Sequence, residues 1–202
     1  MSIKDIATKD DFFNELRNQP SEVKKQEFIE NLLKVNMRGD VRIAALSLLA
    51  EFYIKRGWFG LAARQYTNAA DLSNTFNEKI DYYFRAGSLY LTGAEFIDAD
   101  NSFKKVVVLS ATKDKERMKN NIISLYRQNV ENYERTRQYT KAIAMLNRMF
   151  FFNLPVQESN VLYDRLASLY DRVGQPVEAN RVRNLKARET ERQKGKQFPF
   201  ED

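Results

Sequence analysis

Residues 51–70 read EFYIKRGWFGLAARQYTNAA and hold a glycine in the middle of an otherwise helical pattern. Phe59 follows Gly57 by two positions, and Ala62 follows it by five. Glycine tolerates the left-handed backbone conformation that ends many helices, and small side chains let two helices cross closely. The stretch therefore predicts one helix that ends near Gly57 and a second helix that folds back against it.

The same pattern recurs further along the chain. Four copies align on four alanines, which we call the anchor alanines: Ala62, Ala99, Ala142 and Ala179. Nine residues before each anchor stands a tyrosine: Tyr53, Tyr90, Tyr133 and Tyr170. Twelve residues before each anchor stands a small or aliphatic residue: Ala50, Gly87, Val130 and Ala167. We predict that each of these residues meets its anchor where the two helices cross, because only small side chains fit there.

Composition favours helix and disfavours catalysis. The chain of 202 residues has 7 Gly and 4 Pro and shows no period-two alternation typical of strands. It contains neither cysteine nor histidine, which removes thiolate chemistry and the usual near-neutral acid or base. No glycine-rich phosphate loop is present. We therefore predict a protein that is not an enzyme and that needs no cofactor or metal.

These offsets resemble the tetratricopeptide repeat, a helix-turn-helix unit whose paired helices are called A and B. The resemblance covers roughly residues 41–186, although the anchors are 37, 43 and 37 residues apart rather than the usual spacing of about 34. It implies an all-α fold, a right-handed α-solenoid of about four helix pairs preceded by two N-terminal helices. The pairs are expected near 41–56 and 59–73, 76–92 and 95–110, 113–136 and 138–152, and 157–173 and 176–194.

The two helices before the repeats are predicted from their capping residues. Thr8 caps a helix that runs to Arg17, and Ser21 starts one that runs to Met37 and stops at Gly39. Asp40 is predicted to cap the first repeat helix. The domain organisation is then capping helices in residues 1–39, a repeat array in 40–186, and a basic helix end and tail in 187–202. Within the array the repeats are 41–75, 76–112, 113–155 and 157–186.

The resemblance also implies a peptide-binding groove on the concave wall formed by the A helices. Its residues, carried over position by position, are Glu51, Lys55, Phe84, Arg85, Ser88, Arg127, Glu131, Arg135, Asp164 and Arg165. The arginines would hold a protein segment and Phe84 would supply an apolar contact. The same positions are also compatible with an ordinary solvated helix face.

Two local features could carry function of their own. A basic tail gives seven positive charges: Arg181, Arg183, Lys186, Arg188, Arg192, Lys194 and Lys196. It is either a soluble helix end or a surface for nucleic acid or anionic lipid, and Phe198-Pro199-Phe200 beyond it could be a docking peptide. The run Met149–Phe152 is predicted to be core, or a partner patch if Phe151 or Phe152 points outward.

The sequence therefore predicts a cytoplasmic, non-catalytic scaffold or adaptor that binds another protein or a peptide, with self-association open and no small-molecule substrate. The start of the chain lacks the apolar core of a secretory signal, and no segment is apolar enough to span a bilayer. An alternative is a membrane-trafficking adaptor, since the long helix pairs are similar to those of the soluble attachment proteins (SNAP) of membrane fusion. A further alternative is binding of nucleic acid or an anionic surface through the basic C-terminal helix.

Overall fold

Every regular element in the described part of the chain is helical, so the predicted all-α class is confirmed. The computed structural model describes the backbone of residues 6–197 and the side chains of residues 6–192. Its α-helices are α1 (Lys9–Arg17), α2 (Glu22–Leu32), α3 (Gly39–Lys55), α4 (Phe59–Leu72), α5 (Phe76–Thr92), α6 (Phe96–Leu109), α7 (Lys115–Arg135), α8 (Tyr139–Met149), α9 (Val156–Arg172) and α10 (Pro176–Gln197). Short 3-10 helices, Thr112–Asp114 and Phe150–Phe152, precede α7 and follow α8.

The chain divides into two compact units, Met1–Met118 and Lys119–Asp202, with the boundary inside α7. The first unit holds α1, α2 and the helix pairs α3/α4 and α5/α6. The second holds most of α7 together with α8, α9 and α10. The predicted helix pairs are thus present, and we call α3, α5, α7 and α9 the A helices and their partners the B helices.

Each anchor alanine occupies the same place in its pair. Ala62, Ala99, Ala142 and Ala179 are each the fourth residue of a B helix, and each is 0% exposed. On the A helices, Ala50, Val130 and Ala167 are also buried, as predicted for a close crossing. Gly87 differs in detail. A Cβ placed there would lie 2.7 Å from the ring of Phe103, which stands four positions after Ala99. The Phe103 ring is therefore what requires glycine at this position.

One turn geometry joins the A and B helices in all four pairs. The residue five positions before each anchor has positive φ: Gly57 (74°), Ala94 (62°), Arg137 (58°) and Gly174 (73°). The next amide donates to the carbonyl of the repeated tyrosine, as from Trp58 to Tyr53 at 2.9 Å and from Glu95 to Tyr90 at 2.9 Å. The equivalent bonds from Gln138 to Tyr133 and from Gln175 to Tyr170 are 2.8 and 2.9 Å. This is the Schellman arrangement, which satisfies carbonyls that a helix end leaves without a partner.

Glycine at the two non-glycine turn positions should stabilise the protein. A left-handed backbone conformation costs a residue that carries a Cβ about 1 kcal/mol. Replacement by glycine removes this strain, but part of the gain in stability is lost because glycine makes the unfolded chain more flexible. We expect Ala94→Gly and Arg137→Gly each to raise the free energy of unfolding by about 0.5–1 kcal/mol, as measured by urea denaturation followed by circular dichroism. Gly57→Ala is the reverse control and should lower it by a similar amount. A loss of stability in Ala94→Gly would contradict the turn geometry.

The N-terminal helices pack on α3 but differ from the predicted bounds. Thr8 caps α1 as predicted, with its hydroxyl accepting from Asp11 N at 3.1 Å. The prediction that α2 runs to Met37 was wrong, since it ends at Leu32, and the chain leaves the helix to place Val35 and Met37 against the core shared with α3. Gly39 likewise begins α3 rather than stopping α2, and Asp40 lies in the first turn of α3 instead of capping it.

Candidate functional site

In the first unit, the predicted groove residues lie on α3 and α5, and two of them, Lys55 and Arg85, have charged partners nearby. Lys55 Nζ lies 3.4 Å from a carboxylate oxygen of Glu22 on α2, and both side chains are largely exposed. Arg85 forms an ion pair with Asp81 at 2.9 Å and its guanidinium lies 5.8 Å from the centre of the Tyr66 ring. Burial works against the charge of Arg85, but Asp81 and Tyr66 outweigh it and raise its pKa. Arg85 therefore stays charged and positioned.

Phe84 contributes to the core of its own pair. Its half-buried ring meets the ring of Phe103 on α6 edge-on, with the centroids 5.9 Å apart. Edge-to-face contacts of this kind stabilise a core beyond the area they bury. Only part of the Phe84 ring is therefore available as the apolar peptide contact that the sequence predicts.

In the second unit, ion pairs join the two A helices. Arg165 on α9 donates two hydrogen bonds to Glu134 on α7, at 2.7 and 2.9 Å, and this contact raises the pKa of Arg165. Arg127 on α7 pairs with Glu158 on α9. A bidentate arginine–carboxylate contact fixes the orientation of the two side chains as well as pairing their charges. Arg127 and Arg165 thus brace neighbouring A helices and present charges that are already partly balanced.

Two positions of the repeat stay at the surface of the A helices in every pair. Eleven residues before the anchors stand Glu51, Ser88, Glu131 and Ser168, of which Ser88 is half-buried and the others exposed. Seven residues before the anchors stand Lys55, Thr92, Arg135 and Arg172, all exposed. We call these residues the A-helix rows. They offer polar side chains from fixed helix positions, while the neighbouring small residues are buried and the repeated tyrosines are buried or half-buried.

The last pair uses ion pairs where the others use apolar packing. Four and seven residues after the anchor, the first three copies carry buried residues such as Tyr66 and Ala69. The fourth copy carries Arg183, which pairs with Asp171, and Lys186, whose Nζ lies 2.6 Å from Asp164. These two cations of the predicted basic tail, and the groove residue Asp164, therefore hold α10 to α9.

The other basic residues of the tail make few contacts or lie where the structure describes no side chain. Arg181 lies 3.6 Å from Glu178, and Arg188 and Arg192 are exposed on α10. The side chains of Lys194 and Lys196, and all of Phe198-Pro199-Phe200, lie outside the described residues. Since carboxylates lie beside three of the seven cations, α10 offers a weaker positive field than its sequence suggests.

The run Met149–Phe152 is mostly core, with one outward ring. Met149 is fully buried, Phe150 stacks on Tyr163 at 4.5 Å, and Phe152 meets Tyr126 edge-on at 5.3 Å. Phe151 is 82% exposed. The predicted core role therefore holds for its neighbours, and Phe151 is an apolar point on the surface of the second unit.

Sequence reasoning missed a cleft in the first unit, lined by α4, α5 and α6. Its lining includes Lys79, Lys104 and Lys105 together with Tyr83 and Tyr90. The adjacent Lys104-Lys105 pair is the signal that could have indicated it. The lining comes from three helices of two different pairs, so reading the A helices alone could not assemble it.

Comparisons with known proteins show only distant likeness. No family model matches this chain, and neither does any curated protein. The crystal structure of MamA protein is 18% identical over 93% of this chain and 92% of that chain, with a TM-score of 0.40. The structure of BtubC (BKLC) from P. vanneervenii is 16% identical over 93% of this chain and 78% of that chain, with a TM-score of 0.37. At such values neither likeness indicates a function for this chain.

None of the helices between residues 6 and 197 is long and apolar enough to cross a membrane. Among the side chains of residues 6–192, no group of three acidic residues could hold a metal ion.

Proposed function

We propose that this tetratricopeptide-like protein is a non-catalytic scaffold that binds a segment of another protein on the exposed A-helix faces of its two units. The observation that carries the proposal is the recurrence of the A-helix rows. The same two positions lie at the surface in all four pairs, exposed everywhere except at the half-buried Ser88, beside a crossing whose small residues are buried.

The scaffold suits binding because its surface side chains are positioned before a partner arrives. The ion pairs of Arg85 with Asp81 and of Arg165 with Glu134 hold two of the predicted contact residues in place. Ordering such long side chains at an interface costs about 0.5–1.5 kcal/mol each, and prior positioning removes part of that cost. The mixed charge of the rows favours a partner segment with both acidic and basic residues.

Charge insertion in the A-helix rows should weaken partner binding. We expect the variants Glu51→Arg/Ser88→Arg in the first unit and Glu131→Arg/Ser168→Arg in the second to weaken partner binding by about tenfold or more, through like-charge repulsion and lost contacts. The measurement is cross-linking mass spectrometry of the tagged full chain with its co-purified partners, followed by titration of each identified partner. Cross-links are expected at Lys55.

The matched control places the same residue type on the B helices. Asn68 on α4 and Asn184 on α10 are exposed, and Asn68→Arg/Asn184→Arg should leave partner binding unchanged. If both row variants bind every identified partner as well as the native chain does, the A-helix face is not the binding surface.

A further inference from the structure

The cleft between α4 and α6 has a volume of about 670 Å³ and lies in the first unit. Its floor is α5, which contributes Tyr83 and Tyr90. Both tyrosines are nearly buried, whereas Val108 on α6 is 64% exposed. The cleft thus combines a rigid aromatic base with an uncovered apolar side chain at its edge.

One end of the cleft is basic. Lys105 is fixed there, since its Nζ lies 3.2 Å from the Tyr83 hydroxyl, 3.7 Å from Asp71 and 4.4 Å from the centre of the Tyr83 ring. Tyr83 in turn donates a hydrogen bond to Asp71. These contacts balance the charges of Lys105 and Asp71 against each other.

Two further cations at that end are not balanced in this way. Lys79 at the start of α5 and Lys104 on α6 both line the cleft. Neither side chain forms an ion pair with any of the residues that the structure describes. Val108 and Leu109, also in the lining, lie one turn further along α6. An anionic group and an apolar group could therefore be held side by side.

The other end of the cleft is polar and carries the opposite charge. It is lined by Asp98 in the first turn of α6, by Asn101 and by Thr67 of α4. An amide side chain such as that of Asn101 can both donate to and accept from a peptide backbone. This polarity favours a ligand that presents hydrogen-bonding groups next to its negative charge.

We propose that this cleft binds a segment of another protein that carries acidic side chains beside an aliphatic or aromatic one. Its carboxylates pair with Lys79 and Lys104, and its apolar side chain covers Val108 and Leu109. The site is separate from the A-helix rows, because none of the row residues lines it, and it goes beyond the function proposed above.

Nucleic acid fits the same cleft less well. Single-stranded nucleic acid is held by exposed aromatic rings that stack on bases and by an unbroken basic groove. Here the rings of Tyr83 and Tyr90 are buried, Asp71 pairs with Lys105, and Asp98 puts a negative charge at the other end of the cleft. The acidic peptide is therefore the occupant that the charges and the lining favour.

The test is selection of binding peptides from a random 12-residue display library on the purified full chain. The selected peptides, resynthesised with acetylated and amidated ends, are then titrated by fluorescence anisotropy. We expect acidic residues next to Leu, Phe or Tyr to be enriched. Lys79→Glu/Lys104→Glu should weaken their binding by at least about tenfold, because two attractive charge pairs become repulsive. Asn101→Trp, which fills the cleft without changing its charge, should weaken it as well.

The matched control changes net charge equally outside the cleft. Lys9→Glu/Lys34→Glu reverses two exposed lysines of the N-terminal region and should bind the peptides as the native chain does. Circular dichroism of every variant checks that it is folded. Selected peptides without acidic enrichment, or equal binding to native chain and cleft variants, would overturn the proposal. So would binding of oligo-uridine, but not of peptides, that depends on Lys79 and Lys104.

Discussion

Replacement of Tyr126 by alanine is expected to lower the free energy of unfolding of the second unit by about 3–5 kcal/mol. Tyr126 is 0% exposed and is the largest fully buried side chain among the described residues. It lies on α7 sixteen residues before the anchor Ala142, and its ring packs edge-on against Phe152. Its removal leaves a cavity that the surrounding helices can only partly fill.

Urea denaturation combined with hydrogen exchange of the α7–α10 amides gives the free energy of that unit. Tyr126→Phe keeps the ring and removes only the hydroxyl, so it should cost no more than about 1 kcal/mol. Phe151→Ala, at a ring that is 82% exposed, should change stability by less than about 0.5 kcal/mol. Equal effects of Tyr126→Ala and Phe151→Ala would show that the two rings are not buried as described.

Enlargement of an anchor alanine should be the next most damaging change. Ala179 is fully buried at the crossing of α10 with α9, so Ala179→Leu forces extra methylene groups into a packed site. Overpacking of this kind costs about 1–3 kcal/mol. Ala187→Leu is the control on the same helix, since Ala187 is exposed and leucine and alanine have similar helix propensity.

The same hydrogen-exchange experiment measures both variants. Ala179→Leu should lower the protection of α9 and α10 amides, while Ala187→Leu should leave it within about 0.5 kcal/mol of the native value. If the two substitutions have the same effect, Ala179 does not seat a close crossing.

The pairing of helices follows from the sequence because its determinants are local and repeated. Each B helix begins three residues before its anchor, at Phe59, Phe96, Tyr139 and Pro176. The left-handed turn was readable only where glycine marks it, at Gly57 and Gly174. At Ala94 and Arg137 the hydrogen bonds of the turn impose the same conformation on residues that do not favour it. Gly93, one position earlier, has an ordinary φ of −75°.

Element ends depend on packing that a single sequence does not display. Gly39 is predicted from its residue type to end a helix. It begins α3 instead, because Val35 and Met37 before it pack against the core. In the same way, Thr112–Asp114 forms a separate 3-10 turn before α7 instead of belonging to it.

Side-chain partners were the least predictable part of the candidate site. Glu134 and Arg165 are 31 residues apart and meet because α7 and α9 are neighbours. Arg183 and Lys186 belong to a basic run of the sequence, but their carboxylate partners lie on α9. The cleft with Lys79 and Lys104 depends on three helices at once. Such groupings follow from the tertiary structure and not from spacing along the chain.

The backbone conformation of Ala94 and Arg137 in solution tests the repeated helix crossing most directly. Three-bond HN–Hα couplings and Cα chemical shifts from NMR report the sign of φ at each residue. We predict positive φ at both, matching Gly57 and Gly174, so that all four turns are alike. A negative φ at either residue would contradict a single crossing repeated four times.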